Sequence, residues 1–211
     1  MTSANVTPNG FFNVFDHMTR RVGGIEIPDD WWSRPYEYAF ALDHLRSAKR
    51  VADMGVGWMG RPLATELASR CNKVYGVDID RRVLDLPEVA NLEYVAANFA
   101  DELLPIPAHS LDVVYCISVL EDLPTDAQER AFWEWRRLLD EGGRVVFTCD
   151  VVYDPSNPLG KYPGADLCGL LWALHSAGFR LDGEVDMSKD SATIYSERFN
   201  LCAFHGVAVQ A

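Results

Sequence analysis

The sequence predicts an α/β three-layer sandwich built on a mostly parallel seven-stranded sheet that ends in a C-terminal antiparallel hairpin. Three observations carry this expectation. Short apolar runs of strand length alternate with helix-length segments through most of the chain, the pattern of successive β/α units. The first run, Val51-Ala52-Asp53-Met54, leads into Gly55-Val56-Gly57-Trp58-Met59-Gly60, a glycine-rich turn ahead of an expected helix. The last two runs, Phe179 to Met187 and Asn200 to Gln210, have no amphipathic helix between them. That chain is too short for a right-handed crossover, so the two strands pair antiparallel.

Residues 1–30 read as an N-terminal arm carrying Phe11, Phe12 and Phe15, and 31–211 as a single domain. Ser33 can cap a helix with Pro35 in its first turn, and Tyr38, Ala41, Leu42 and Leu45 follow at helical spacing. A buried strand at 51–54 and a helix at 61–70 come next, the helix turning Leu63, Leu67 and Ala68 inward. Further strands are expected at 73–78, 92–95 and 111–117. Thr125 and Gln128 have the spacing of a capping box. Behind them Ala131, Phe132, Trp135, Leu138 and Leu139 form one apolar face, stopped by Gly142-Gly143. Arg144 to Cys149 reads as the fifth strand. A loop rich in proline and glycine at 150–165 leads to a helix with Leu167, Leu170, Leu171 and Leu174 on its face, ended by Gly178.

The 211 residues, 48% hydrophobic and 24% charged, suit one globular core. A net charge of −12 argues against nucleic acid, whose backbone wants a basic face. No apolar run approaches the roughly 20 residues that span a bilayer, so no membrane role is expected. Met1 to Gly10 lacks the basic and apolar regions of a secretory signal. The five cysteines are scattered without a C-x-x-C pair, which predicts reduced thiols in a cytoplasmic protein and no zinc site or other metal. Oligomeric state is not legible.

In an open parallel sheet, ligands bind beyond the carboxyl ends of the strands. Those ends supply Asp53 with Gly55 and Gly57, then Asp78, Asn98-Phe99, Ile117-Ser118 and Asp150. Asp78 can accept both hydroxyls of a ribose. Asn98 can meet the edge of an adenine, with Ile79 and Phe99 as apolar neighbours able to sandwich its ring. Two cofactors fit such a site. A dinucleotide would bring its pyrophosphate beside Asp53, an unfavourable pairing of like charges. S-adenosylmethionine has no phosphate and carries a sulfonium and an ammonium, which an acid favours. A nicotinamide-dependent oxidoreductase domain remains an alternative, as does a catalytically silent binding or scaffold protein on the same fold.

From about residue 36 to 210 the chain resembles the class I S-adenosylmethionine-dependent methyltransferases, of small-molecule type. Val51 to Gly57 is similar to their first motif and Val77-Asp78-Ile79-Asp80 to their second. Leu111 to Pro124 is similar to their fourth-strand segment, and Arg136 to Phe147 to the segment around their fifth strand. The resemblance implies a Rossmann-like sandwich that binds S-adenosylmethionine. It implies Gly55 and Gly57 under the methionine part, Asp53 near its ammonium, Asp78 on the ribose, and Ile79 and Asn98 at adenine. Ile117 and Ser118 would border the sulfonium. Gly60 falls one residue later than in much of the family, and Asp122 replaces a common histidine.

Methyl transfer is an in-line displacement that needs orientation, a dry site and, for a hydroxyl acceptor, a base. Asp150 and His175 are the catalytic candidates, with His205 and His109 behind them. Trp31, Trp32, Arg34 and Tyr36, with Tyr153, Lys161 and Tyr162, are expected to cover the acceptor. Those aromatics suit a flat or sugar-like small molecule, most simply O-methylated. Trp58 and Met59 are expected to point away from the cofactor.

Overall fold

The computed structural model describes residues 9–17, 19–57, 62–156 and 164–211. In chain order these form β1 (Asn9–Phe11), β2 (Arg21–Val22), β3 (Ile25–Glu26), α1 (Arg34–Asp43), β4 (Arg50–Met54) and α2 (Pro62–Ala68). Next come β5 (Lys73–Asp78), β6 (Leu92–Ala96), β7 (Leu111–Ile117), α3 (Thr125–Leu138), β8 (Leu139–Val152) and α4 (Leu167–Ser176). The chain closes with β9 (Phe179–Leu181), β10 (Val185–Asp186), β11 (Tyr195–Ser196) and β12 (Leu201–Gln210).

The sheet runs β10-β1-β12-β8-β7-β4-β5-β6, with β9 and β11 also on β12. From β8 to β6 all pairings are parallel, and β12 lies antiparallel to β8. β4 extends on one side to β5 and β6 and on the other to β7 and β8. The strand order therefore reverses between β4 and β7, where the glycine turn and Ser118 meet. One face is sealed by α3 and α4, whose Phe132, Trp135, Leu138, Leu170 and Leu174 are buried with Phe147, Phe179 and Phe204. On the other, α1 and α2 bury Tyr38, Phe40, Ala41, Leu63 and Leu67 against Val51, Val74 and Tyr115.

The expected class is present, with more strands than seven. The additional ones are short and lie along β12 or, for β10, along β1. Phe179 to Met187 is not one strand: β9 pairs with β12, whereas β10 pairs parallel with β1. The split has a local cause. The buried side chain of Asn9 accepts from Val207 N at 2.9 Å and donates to the carbonyls of Asp182 and Glu184 at 2.9 and 3.0 Å. It thereby fills ladder positions that a continuous strand would use. The arm is thus tied into the sheet, and Phe12 is buried in the core.

Three local expectations are corrected. Ser33 makes no side-chain cap; its hydroxyl donates to Glu37 at 3.2 Å instead. No capping box forms at α3, because Pro124 holds the N-cap position and Gln128 Nε2 donates to the carbonyls of Leu120 and Leu123. Gly142-Gly143 does not stop α3. The helix ends at Leu138, and the glycines lie in a register shift inside β8, Gly142 at φ +75°.

Candidate active site

The switch point opens into a cavity of about 300 Å³, within the size range of small-ligand sites. Its walls include Asp53, Gly55 and Gly57 from the end of β4, Ile117 and Ser118 from the end of β7, and Asp150 from β8. Trp31, Trp32, Arg34 and Tyr38 close it from the arm and α1. Residues expected from four separate stretches of sequence therefore converge.

The glycines are required by geometry. Gly55 has φ +79°, and a Cβ there would come within 2.4 Å of Val119 Cγ2. Gly57 has φ +71° with nothing within 4 Å of a built Cβ, so its backbone faces open space. Asp78 lies directly beneath this turn, its carboxylate accepting from Gly57 N at 2.8 Å and from Asp80 N at 2.9 Å. The turn is thus held to the tip of β5 by the acid expected to meet a ribose. Ile79, next to it, is 70% exposed, an apolar surface left uncovered at that tip.

The electrostatics centre on buried acids and one cation. Burial, reinforced by the charge of Asp78 and opposed by Arg34, raises the Asp53 carboxyl to about 7. Asp150 is likewise raised to about 7, by burial first and then by Glu37, with Arg34 opposing. Burial also lifts Glu121 well above the usual carboxylate range, with Asp150 adding to the effect. Asp150 Oδ1 and Glu121 Oε2 are buried with no hydrogen-bond partner among the described residues. Such atoms can receive a hydrogen bond from a ligand hydroxyl or amine.

A stability prediction follows for Asp53, which is only 5% exposed. Its folded pKa lies above the ordinary value of 3.8, so its protonated form is preferred in the fold. The contribution is full below pH 4, is lost as pH rises through about 7, and is flat above, with a size on the order of a few kcal/mol. Thermal melts from pH 5 to 8 should show a falling midpoint that Asp53→Asn makes less steep. The half-buried ring of His44 titrates with the opposite sign and is common to both proteins, so it leaves the difference intact. Equal slopes would reject the assignment.

Several expected residues lie elsewhere. His175 is exposed in the last turn of α4, outside the cavity, because the apolar face of that helix turns it to solvent. Phe99 cannot lie over an adenine: it is 6% exposed and packs 5.6 Å from the Trp135 ring in the core. Asn98 is tied within its own loop, donating to Asp101 at 2.8 Å and accepting from Ala100 N at 3.1 Å. Tyr36 lines a neighbouring cavity with His17, Arg20 and Trp32. Tyr153 stacks on Tyr195 at 4.4 Å instead of covering the site. His205 is buried against Phe12 and Phe40, and His109 meets the carbonyl of Leu139 before β7. Trp58, Met59, Gly60, Lys161 and Tyr162 lie outside the described residues.

Glu37 is the residue that sequence reading missed. It is fully buried, accepting from Ser118 Oγ at 2.6 Å and Thr148 Oγ1 at 2.9 Å, and it pairs with Arg34. The available signal was an acid four residues before Ala41 on the inward face of α1.

Comparison with known proteins shows what the chain is similar to. Residues 52–147 match the family described as methyltransferase domain. The ubiquinone biosynthesis O-methyltransferase of Neisseria meningitidis serogroup C is 31% identical over 121 residues, 48% of this chain and 50% of that protein. The chain thus spans about half the length of the curated relatives it matches. Among solved structures, a TehB-like S-adenosylmethionine-dependent methyltransferase from Corynebacterium glutamicum has a TM-score of 0.59 at 17% identity, covering 83% of this chain and 88% of its own. The 1,6-didemethyltoxoflavin-N1-methyltransferase of Burkholderia thailandensis, solved with its substrate and S-adenosylhomocysteine, has a TM-score of 0.61 at 19% identity, covering 87% and 80%. At these identities the two structures share the fold.

Proposed function

We propose that the chain is a class I S-adenosylmethionine-dependent methyltransferase, a reading supported by the match of residues 52–147 to the methyltransferase domain, and that it transfers a methyl group from S-adenosylmethionine to a small-molecule acceptor. The observation that carries this reading is one cavity that joins the glycine turn, Asp53, Ser118 and Asp150, with Asp78 bonded beneath the turn. The donor set fits the cofactor. Gly57 leaves open space at a positive φ, and the acids beside it suit a ligand carrying two positive charges and no phosphate.

Bound there, the cofactor supplies an activated methyl on a cationic sulfur. Asp53 attracts the ammonium, and Asp78 with Ile79 receives the ribose and the base. Trp31 and Trp32 exclude water and give an apolar wall to the acceptor. Asp150 is the general base. Its carboxyl, raised to about 7, is suited to take a proton near neutral pH, and its Oδ1 is available to an acceptor hydroxyl. O-methylation of a polar or sugar-like metabolite follows from that base. The similarity to a ubiquinone biosynthesis O-methyltransferase supports it. Residues 31–211 form the catalytic domain in this reading, and the free cysteines are compatible with a reducing compartment such as the cytoplasm.

Calorimetry with S-adenosylmethionine and with NAD tests the reading. Binding of the first without the second is expected, and binding of NAD alone would overturn it. Incubation with methyl-labelled S-adenosylmethionine and a metabolite extract would then identify the acceptor by the mass of the labelled product.

A further inference from the structure

We propose that Glu37 is a positioning residue that pins Arg34 and Ser118 at the cavity and neutralises the Arg34 guanidinium, so that the site admits a cationic sulfonium. The inference rests on the S-adenosylmethionine reading. It starts from a charge problem. Arg34 lines the cavity beside Asp53, Ser118 and Asp150, and an unopposed guanidinium there would repel the sulfonium.

Glu37 removes that repulsion while occupying no space in the cavity. Its Oε1 accepts from Ser118 Oγ at 2.6 Å and from Thr148 Oγ1 at 2.9 Å, which clips α1 to the ends of β7 and β8. Its Oε2 accepts from Ser33 Oγ at 3.2 Å and from Arg34 Nη1. Arg34 Nη1 also donates to Ser118 Oγ at 2.7 Å, closing a ring of three side chains. Ser118 sits at φ +51°, a conformation unfavourable for serine, and its hydroxyl is held from two sides. A buried carboxylate with no other role would be costly, and here its hydrogen bonds lead to the cavity wall and to the strands beneath it. Burial pulls the Arg34 pKa down, yet Glu37, with Tyr38 and Asp150 adding to it, holds it above its usual value.

The experiment compares S-adenosylmethionine with S-adenosylhomocysteine, which lacks the transferable methyl and with it the sulfonium charge. Glu37→Gln preserves shape and an oxygen for Ser118 and Thr148 but cancels the charge facing Arg34. Calorimetry should show its affinity for S-adenosylmethionine falling on the order of tenfold relative to S-adenosylhomocysteine. Arg34→Met should shift the ratio the other way, and combining the two substitutions should restore it. Equal weakening toward both ligands, or no change in ratio, overturns the role of Glu37 while leaving the cofactor reading in place. A wild-type protein that binds neither ligand overturns both.

Discussion

Asp150→Asn is expected still to bind S-adenosylmethionine, at most about tenfold more weakly, and to methylate its acceptor about 10²- to 10⁴-fold more slowly at saturating cofactor, the usual contribution of a positioned base. The substitution keeps size and hydrogen-bonding geometry and removes the proton acceptor. Asp150 lies at the cavity wall with Oδ1 buried and unpartnered among the described residues. Its carboxyl is shared electrostatically with Glu37, Arg34 and Asp122, with Glu121 close by, so its ionisation is set by the ensemble of these groups. Since the base works ionised and its pKa is about 7, wild-type turnover should rise with pH through 7 and then level. Single-turnover transfer of labelled methyl to the identified acceptor checks both points. Variant turnover within a few-fold of wild type would remove Asp150 as the base.

Trp135→Ala should be the most damaging change to stability, costing about 3–5 kcal/mol. Folded domains hold only about 5–15 kcal/mol in total, so this approaches the lower end of the margin available. Trp135 is fully buried in α3, with Phe132 at 5.1 Å edge-on and Phe99 at 5.6 Å. Truncation leaves a cavity among rings that are themselves locked against the sheet. Its indole Nε1 is buried with no partner among the described residues, so Trp135→Phe removes an unsatisfied donor while keeping a ring. The phenylalanine variant should therefore lose clearly less. Urea midpoints at unchanged m separate the two outcomes, and equal losses would place the value of Trp135 somewhere other than its ring contacts.

The parts of the site that could be read from sequence are those where the backbone dictates residue type. Gly55 and Gly57 must accept positive φ, and Asp53 and Asp78 sit at strand ends whose periodicity locates them. The misreadings share one cause. Phe99 and His175 were placed by their distance along the chain from a strand or an apolar face, but a side chain's direction depends on what packs against it. Phe99 turns inward because Trp135 offers a better contact than solvent, and His175 turns outward because Leu170 and Leu174 claim the buried side of α4.

The sequence by itself determined the layered α/β class, the glycine turn, the terminal antiparallel pair and the acids at the ends of the first two strands, because each is a local pattern of period, turn or spacing. Only the tertiary structure decided how Glu37, Arg34, Ser118 and Thr148 come together, since they lie on α1, the turn after β7, and β8. It also decided that the N-terminal arm inserts Asn9 into the last strand pairing. Neither leaves a local signature, because a buried charge is tolerated through partners that only folding brings within hydrogen-bond distance.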